Sequence, residues 1–151
     1  MIICDDYLAL RAMNLGRPAQ VPNAEALAMT PSTWWRILRP AHAVIASRAT
    51  GQPQTATGQL SRLLDQLSDG ALDLVRRPDS SIIQRLDSSD LLDTAAALGV
   101  NYRGGLLQLE AAAAAVVHGG ELWYGLDRNI SPVTETIAAD LGITINVVDL
   151  I

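Results

Sequence analysis

The chain has 151 residues, of which 49% are hydrophobic and 18% are charged, and its formal net charge is −5. This apolar fraction is too high for a disordered chain, and a single globular domain of this length can bury a full core. The most apolar stretch, residues 111–117, is too short to cross a membrane. All 11 basic residues are arginine, and they are outnumbered by 16 acids, so a basic surface that coats nucleic acid is not expected.

The N-terminal segment predicts a buried strand followed by a helix. The apolar run Ile2–Cys4 ends at Asp5 and Asp6, and residues 7–14 have apolar positions at helical spacing. Two carboxylates this close to the N-terminus do not fit a signal peptide, so we expect a cytoplasmic protein. Cys4 is the single cysteine, and its apolar surroundings predict a buried, inert thiol.

A helical excursion is predicted at about residues 31–67 of one domain that spans residues 1–151. Thr30 followed by Pro31 is a strong helix start. Pro40 lies inside the segment that follows, which predicts a kinked helix or two separate helices. The best linker candidate is residues 50–58, and an amphipathic helix is predicted after it.

The segments on either side of this excursion give weaker patterns. Residues 24–29 fit either a short strand or a helical turn. Residues 80–86 are predicted to be helical, and a further helix is predicted from a cap at Ser88 or Ser89 through Leu98.

The last third of the chain predicts a strand–helix–strand unit. An alanine-rich helix over residues 105–118 leads into a strand over 121–124. Ser131–Pro132 then starts a second helix, and a β-branched strand covers residues 143–148. Such a unit is parallel and right-handed by default. We therefore predict an α/β fold, a three-layer α/β/α sandwich with a short, mainly parallel sheet.

Acidic residues follow two of the predicted strands. Asp5 and Asp6 follow the first strand, Asp127 follows the strand over residues 121–124, and Glu110 lies early in the alanine-rich helix. Ligands collect at the carboxyl ends of parallel strands, so we expect these acids to converge. Converging carboxylates repel each other unless a divalent cation lies between them. The sequence therefore predicts an Mg²⁺ or Mn²⁺ site that activates water toward a phosphodiester.

Two segments together resemble the PIN-domain family, the nuclease fold of VapC-type toxins from toxin–antitoxin pairs. IICDDYLALRAM is similar to the family's first strand, metal-binding Asp and first helix. Residues 109–148 are similar to its closing pattern of an alanine-rich helix ending in His-Gly, a strand, a late Asp, a helix and a final strand. The resemblance implies a bacterial, metal-dependent endoribonuclease that hydrolyses RNA, has a small antitoxin protein as partner and forms a homodimer.

The site that this resemblance implies is built mainly from acids. Asp5 and Asp127 match metal-binding and catalytic acids of the family, with Asp6 competing for the first position. Glu110 is a possible third ligand or an orienting residue, and Asn129 would position a phosphate or a water. Simpler interpretations remain open, because Asp5 and Asp6 also suit a helix cap and Asp127 also suits an ordinary turn.

Two positions depart from the family's pattern. Gln108 stands where the family's alanine-rich helix carries an Asp, and residues 34–42, WWRILRPAH, contain no carboxylate where a fourth acid is expected. Arg36 lies there instead, where it would hold a substrate phosphate or, pointing inward, oppose a cation. Because the acidic quartet is incomplete, the alternative hypothesis is a catalytically degenerate PIN-like binding module.

The adjacent tryptophans suggest a binding surface for such a module. Trp34 and Trp35 point about 100° apart on a helix, so they cannot both face one core. We expect one to pack inside and the other to lie at an interface, where Trp and Arg are enriched. Simple packing of both rings is a second interpretation. In a third, the rings stack on RNA bases while Arg36 and Arg39 hold phosphates. In the binding-module hypothesis, this surface engages a protein partner or a second copy of the chain.

Overall fold

The computed structural model describes residues 1–54, 58–148 and 150. These residues form five short strands and seven α-helices. The strands are β1 (Ile2–Cys4), β2 (Leu27–Met29), β3 (Gln84–Arg85), β4 (Glu121–Tyr124) and β5 (Ile145–Val147). The helices are α1 (Asp6–Leu15), α2 (Pro31–Thr50), α3 (Gln59–Asp65), α4 (Asp69–Arg76), α5 (Ser88–Asn101), α6 (Leu106–His118) and α7 (Pro132–Leu141). A short 3-10 turn, Asp127–Asn129, follows β4.

The five strands form one parallel sheet in the order β3-β2-β1-β4-β5. Strand β1 lies at the centre, where Ile2 is opposite Leu27 of β2 and Glu121 of β4. The predicted α/β sandwich with a parallel sheet is confirmed. Because every strand runs in the same direction, all five carboxyl ends lie along one edge of the sheet, where ligands of such folds bind.

Successive side chains of the central strand β1 point into two different apolar cores, one on each face of the sheet. Ile2 and Cys4 are buried in a cluster with residues of α1, α2, α3 and α4. Ile3 faces the other way, into a cluster with α5 and α6. Successive side chains of a strand point to opposite faces, so a three-residue strand supplies both cores. Cys4 is a buried free thiol, as predicted, and burial raises its pKa.

Helix α2 begins as the sequence predicts, but Pro40 does not split it. The Thr30 side chain accepts a hydrogen bond from the Thr33 amide, and Pro31 occupies the first turn. The helix then continues through Pro40 to Thr50. Buried residues on both sides of Pro40, Ile37 and Val44 among them, anchor the two halves to the same core, and this packing outweighs the hydrogen bond that proline removes.

The prediction of a helix over residues 80–86 is wrong. The segment makes a turn around Asp79, whose side chain accepts hydrogen bonds from the Ser81 amide and hydroxyl. It then forms β3, which pairs with β2, and the Leu86 amide donates to the Met29 carbonyl. Pairing at the sheet edge therefore overrides the local helical pattern.

Other boundaries differ by a few residues from those predicted. Within residues 24–29, Leu27–Met29 form strand β2. Helix α5 is capped by Asp87 and continues past Leu98 to Asn101. Of the predicted linker, residues 55–57 lie outside the described residues. In the part of the chain that the structure describes, no helix combines the length and apolarity needed to span a bilayer.

Replacing Pro40 with alanine should stabilise the protein. The substitution restores a backbone donor inside a continuous helix and removes the ring, so the free energy of unfolding should rise by about 1–3 kcal/mol in urea titrations. His42→Ala, at an exposed position of the same helix, is the control and should change stability by less than about 0.5 kcal/mol. A loss of stability in Pro40→Ala would contradict this explanation of α2.

Candidate functional site

A polar cleft opens at the carboxyl edge of the sheet, where β1 and β4 end. Its volume is about 60 Å³, which is well below the range of small-ligand sites. The loop after β1, helices α2 and α6, and the turn after β4 all contribute side chains. The polar residues of its lining are Asp5, Asp6, Thr33, Arg36, Gln108, Tyr124, Asn129 and Thr134.

Asp5 joins three parts of the fold at this edge. Its Oδ1 accepts hydrogen bonds of 2.8 Å from the Leu8 amide, as the N-cap of α1, and from the Gly125 amide just after β4. Its Oδ2 accepts a 3.0 Å bond from the Asn129 side chain. The cap role that the sequence left open for Asp5 is therefore present, and the same carboxylate also lies in the cleft.

Asp6 lies beside Asp5 and is almost completely buried. Its Oδ1 accepts a 2.8 Å hydrogen bond from the same Asn129 amide nitrogen, so one side chain bridges both carboxylates. The Arg36 Nε lies 3.2 Å from Asp6 Oδ2 and forms an ion pair with it. That contact is not aligned as a hydrogen bond, and among the described residues Oδ2 has no hydrogen-bond donor.

Burial dominates the electrostatics of both acids. It raises the pKa of Asp5 to about 6, against the opposing effects of the bonds from Gly125, Leu8 and Asn129. It also raises the pKa of Asp6, while the Arg36 guanidinium acts in the opposite direction. Two adjacent carboxylates that share one pocket thus have a reduced tendency to ionise together.

The residue that meets Asp5 and Asp6 is Asn129 rather than Asp127. Asp127 is exposed at the start of the 3-10 turn and does not line the cleft. Asn129, two residues further on, points its amide between the two acids. The sequence predicted that Asn129 positions a phosphate or a water; in the structure its amide donates to both carboxylates.

Glu110 and Gln108 occupy different positions around α6. Gln108 lines the cleft, at the position where the resemblance expected an acid. Glu110 is buried, and its Oε1 accepts a 2.8 Å hydrogen bond from the Ser32 amide in the first turn of α2. This bond gives a partner to a backbone N–H that the helix itself leaves unpaired. The negative carboxylate also stabilises the positive N-terminal end of the helix dipole.

The side chains that line the cleft do not form a metal site of four carboxylates, because only Asp5 and Asp6 are acids. Among residues 1–54, 58–148 and 150, no three His, Cys, Asp or Glu side chains come together in a group that could hold a metal ion. Gln108 and Asn129 carry neutral amides, and Arg36 brings a positive charge. Asp5 and Asp6 alone would be able to hold a single Mg²⁺, a cation that needs only one or two protein carboxylates, after Arg36 had moved away.

Asp5→Asn should flatten the pH dependence of stability between about pH 4 and pH 6. Because folding raises this pKa, the folded protein holds the proton more tightly than the unfolded chain does, and the free energy of unfolding falls as pH rises through this window. Urea titrations across the window measure the slope. Asp127→Asn, at an exposed acid, is the control. Equal slopes for wild type and Asp5→Asn would contradict a raised pKa at Asp5.

Gly125→Ala should destabilise the junction of β4 and α1. A Cβ at this position would lie 2.8 Å from the Leu8 backbone nitrogen and 3.1 Å from the Tyr7 Cβ. Overpacking of this kind costs about 1–3 kcal/mol of unfolding free energy. Gly70→Ala is the matched control, since its nearest neighbour lies 4.0 Å away, and it should leave stability unchanged or higher. Equal stability of the two variants would count against the close approach at Gly125.

No protein-family model and no curated protein matches this sequence. The likeness to PIN domains therefore remains a prediction from the two segments that carry it. What the cleft can do depends on its own residues and their contacts.

Proposed function

We propose that the chain is a PIN-like, cytoplasmic binding module whose acidic cleft is neutralised by its own side chains. The observation that carries this proposal is the pair of contacts around Asp5 and Asp6. The Asn129 amide donates to both carboxylates, and the Arg36 guanidinium lies against Asp6. These groups supply the positive charge and the donors that a divalent cation would otherwise provide.

Charge balance explains why this arrangement opposes metal binding. A cation that approached the Asp6 Oδ2 would meet the Arg36 guanidinium at the same oxygen. Both oxygens of Asp5 already accept hydrogen bonds, from two backbone amides and one side-chain amide. Removing a partner from a buried charge costs several kcal/mol, so a metal would have to compensate for the loss of Arg36.

The binding surface in this proposal is a groove beside the cleft, between α2, α5 and α6. We call it the Trp35 groove; its lining residues are Pro31, Ser32, Trp35, Arg36, Ser88, Leu92, Leu106, Leu107 and Glu110. Three large apolar side chains in it are about half exposed: Trp35 at 57%, Leu92 at 50% and Leu106 at 55%. Clustered apolar exposure of this kind marks an interaction site.

Trp34 and Trp35 point in different directions from α2, as the helix geometry predicts. Trp34 is partly buried against the core, its Nε1 donates to the Val75 carbonyl, and the Arg85 guanidinium lies 4.8 Å from its ring centroid. Trp35 faces outward, with the Arg39 guanidinium 5.4 Å from its ring centroid. An exposed Trp flanked by Arg is typical of a protein–protein contact. A protein partner, such as a small antitoxin, therefore suits this surface better than RNA does.

A metal-dependent endoribonuclease is the second candidate. The unpaired Oδ2 of Asp6 supports the nuclease. This buried oxygen belongs to a residue that lines the cleft beside Asp5, and in the described part of the chain no group donates a hydrogen bond to it. In that case Asp5 and Asp6 would hold one Mg²⁺ or Mn²⁺. Arg36, released from Asp6, would hold the RNA phosphate, and the ion would supply an activated water.

Calorimetric titration with Mn²⁺, paired with cleavage of a fluorophore-labelled single-stranded RNA, separates the two candidates. The binding-module proposal predicts no specific Mn²⁺ heat and no cleavage for the wild type or for Asp5→Asn combined with Asp6→Asn. The matched control combines Asp127→Asn with Asp90→Asn, which removes the same charge from exposed positions. Mn²⁺ binding and cleavage that disappear only in the Asp5/Asp6 variant would overturn the proposal and support the nuclease.

A further inference from the structure

We propose that a cavity between α1, α3 and the segment after β4 binds a small alkyl carboxylate, with the Arg11 guanidinium as the partner of the carboxylate group. We call it the Leu15 cavity; its apolar lining consists of Leu10, Leu15, Leu63, Leu67, Leu126 and Leu150. The cavity shares no lining residue with the acidic cleft or with the Trp35 groove. This site is therefore additional to the proposed function and does not depend on it.

The first argument is the size and the apolar lining of the cavity. Its volume is about 420 Å³, which lies within the range of about 300–1,000 Å³ that is typical of small-ligand sites. Leu10 is buried, whereas Leu15 is 69% exposed and Leu63 is 37% exposed. The leucine lining thus extends from the core to the solvent. An alkyl chain that enters the cavity removes apolar surface of both partners from water, which favours binding.

The second argument is the charge of the lining. Among the described residues that line the cavity, Arg11 is basic and none is an acid. The Arg11 Nη1 donates a 2.7 Å hydrogen bond to the Gly16 carbonyl. In residues 1–54, 58–148 and 150, no acid forms an ion pair with this guanidinium. Its remaining N–H groups are available to a carboxylate, which a guanidinium binds in a bidentate geometry.

The polar groups around Arg11 complete a site for one anionic group. Tyr7, Asn14, Gln59 and Gln66 line the cavity with neutral hydrogen-bonding side chains. The Gln59 Oε1 accepts a hydrogen bond from Arg128, which places a second guanidinium at the rim. An alkylammonium ion would meet like charge here, and an alcohol would lack the charge-assisted bond to Arg11. The lining therefore selects a carboxylate among ligands that carry the same alkyl chain.

Calorimetric titration of the wild type with sodium octanoate tests the site, and two-dimensional NMR of the backbone amides locates it. Octanoate should bind and shift the amides of α1 and α3. The dissociation constant should fall about fourfold for each CH₂ group added between hexanoate and octanoate, because each added group is buried against leucine. Octanol and octylammonium should bind about tenfold more weakly or worse, since neither forms the charge-assisted bond.

Two pairs of variants assign the charge and the cavity separately. Arg11→Gln should weaken octanoate binding about tenfold or more, whereas Arg62→Gln, which removes an exposed guanidinium of α3 outside the cavity, should leave it unchanged. Leu63→Trp should block binding by filling the cavity. Leu74→Trp places the same ring at an exposed leucine of α4 that lies outside the cavity, and it should have no effect. Circular dichroism should show equal helical content throughout.

Absence of octanoate binding at millimolar concentrations would overturn the proposal, and so would equal affinity of the wild type for octanoate and octanol. Amide shifts confined to residues outside α1 and α3 would also contradict it. The comparison of octanoate with octanol uses the unaltered protein, so it decides the role of charge even if Arg11→Gln fails to fold. None of these results bears on Mn²⁺ binding or RNA cleavage, because the two sites have no residue in common.

Discussion

The partly buried carboxylate of Asp5 is the constraint on which the carboxyl edge of this fold depends. It accepts bonds from the first turn of α1, from the backbone after β4 and from the turn that carries Asn129. One short side chain therefore fixes the relative positions of segments that lie more than a hundred residues apart. Burial that raises its pKa to about 6 is the electrostatic cost of this position.

Asp6 adds a second, more deeply buried acid, and the surrounding residues compensate for it. Asn129 ties the two carboxylates together, and Arg36 extends from α2 to place a guanidinium beside Asp6. Because Arg36 also lines the Trp35 groove, the residue that neutralises the cleft belongs to the surface that we assign to partner binding. The two features on which the proposal rests, the neutralised pair of acids and the exposed Trp/Arg surface, therefore meet at one side chain.

The sequence predicted the fold class and the strand–helix–strand unit at its C-terminal end because these depend on local periodicity and on strong caps such as Ser131–Pro132. It failed over residues 80–86, where pairing with β2 decides the structure. For the site, it expected Asp127 and Glu110 to converge with Asp5 and Asp6, whereas the structure brings Asn129 to the two acids and leaves Asp127 and Glu110 outside the cleft. Which of two residues on one turn points inward depends on tertiary hydrogen bonds, and no local pattern encodes that choice.

Arg36 acts as the counter-ion of Asp6 within the cleft, and the pKa of Asp6 reports on this ion pair. Carbon-13 NMR titration of the aspartate carboxyl groups measures this pKa in the wild type, in Arg36→Gln and in Arg39→Gln as a control for loss of a neighbouring charge. We expect a higher pKa for Asp6 in Arg36→Gln, because the guanidinium that lowers it is lost, and little change in Arg39→Gln. An unchanged Asp6 pKa in Arg36→Gln would contradict the role of Arg36 as counter-ion.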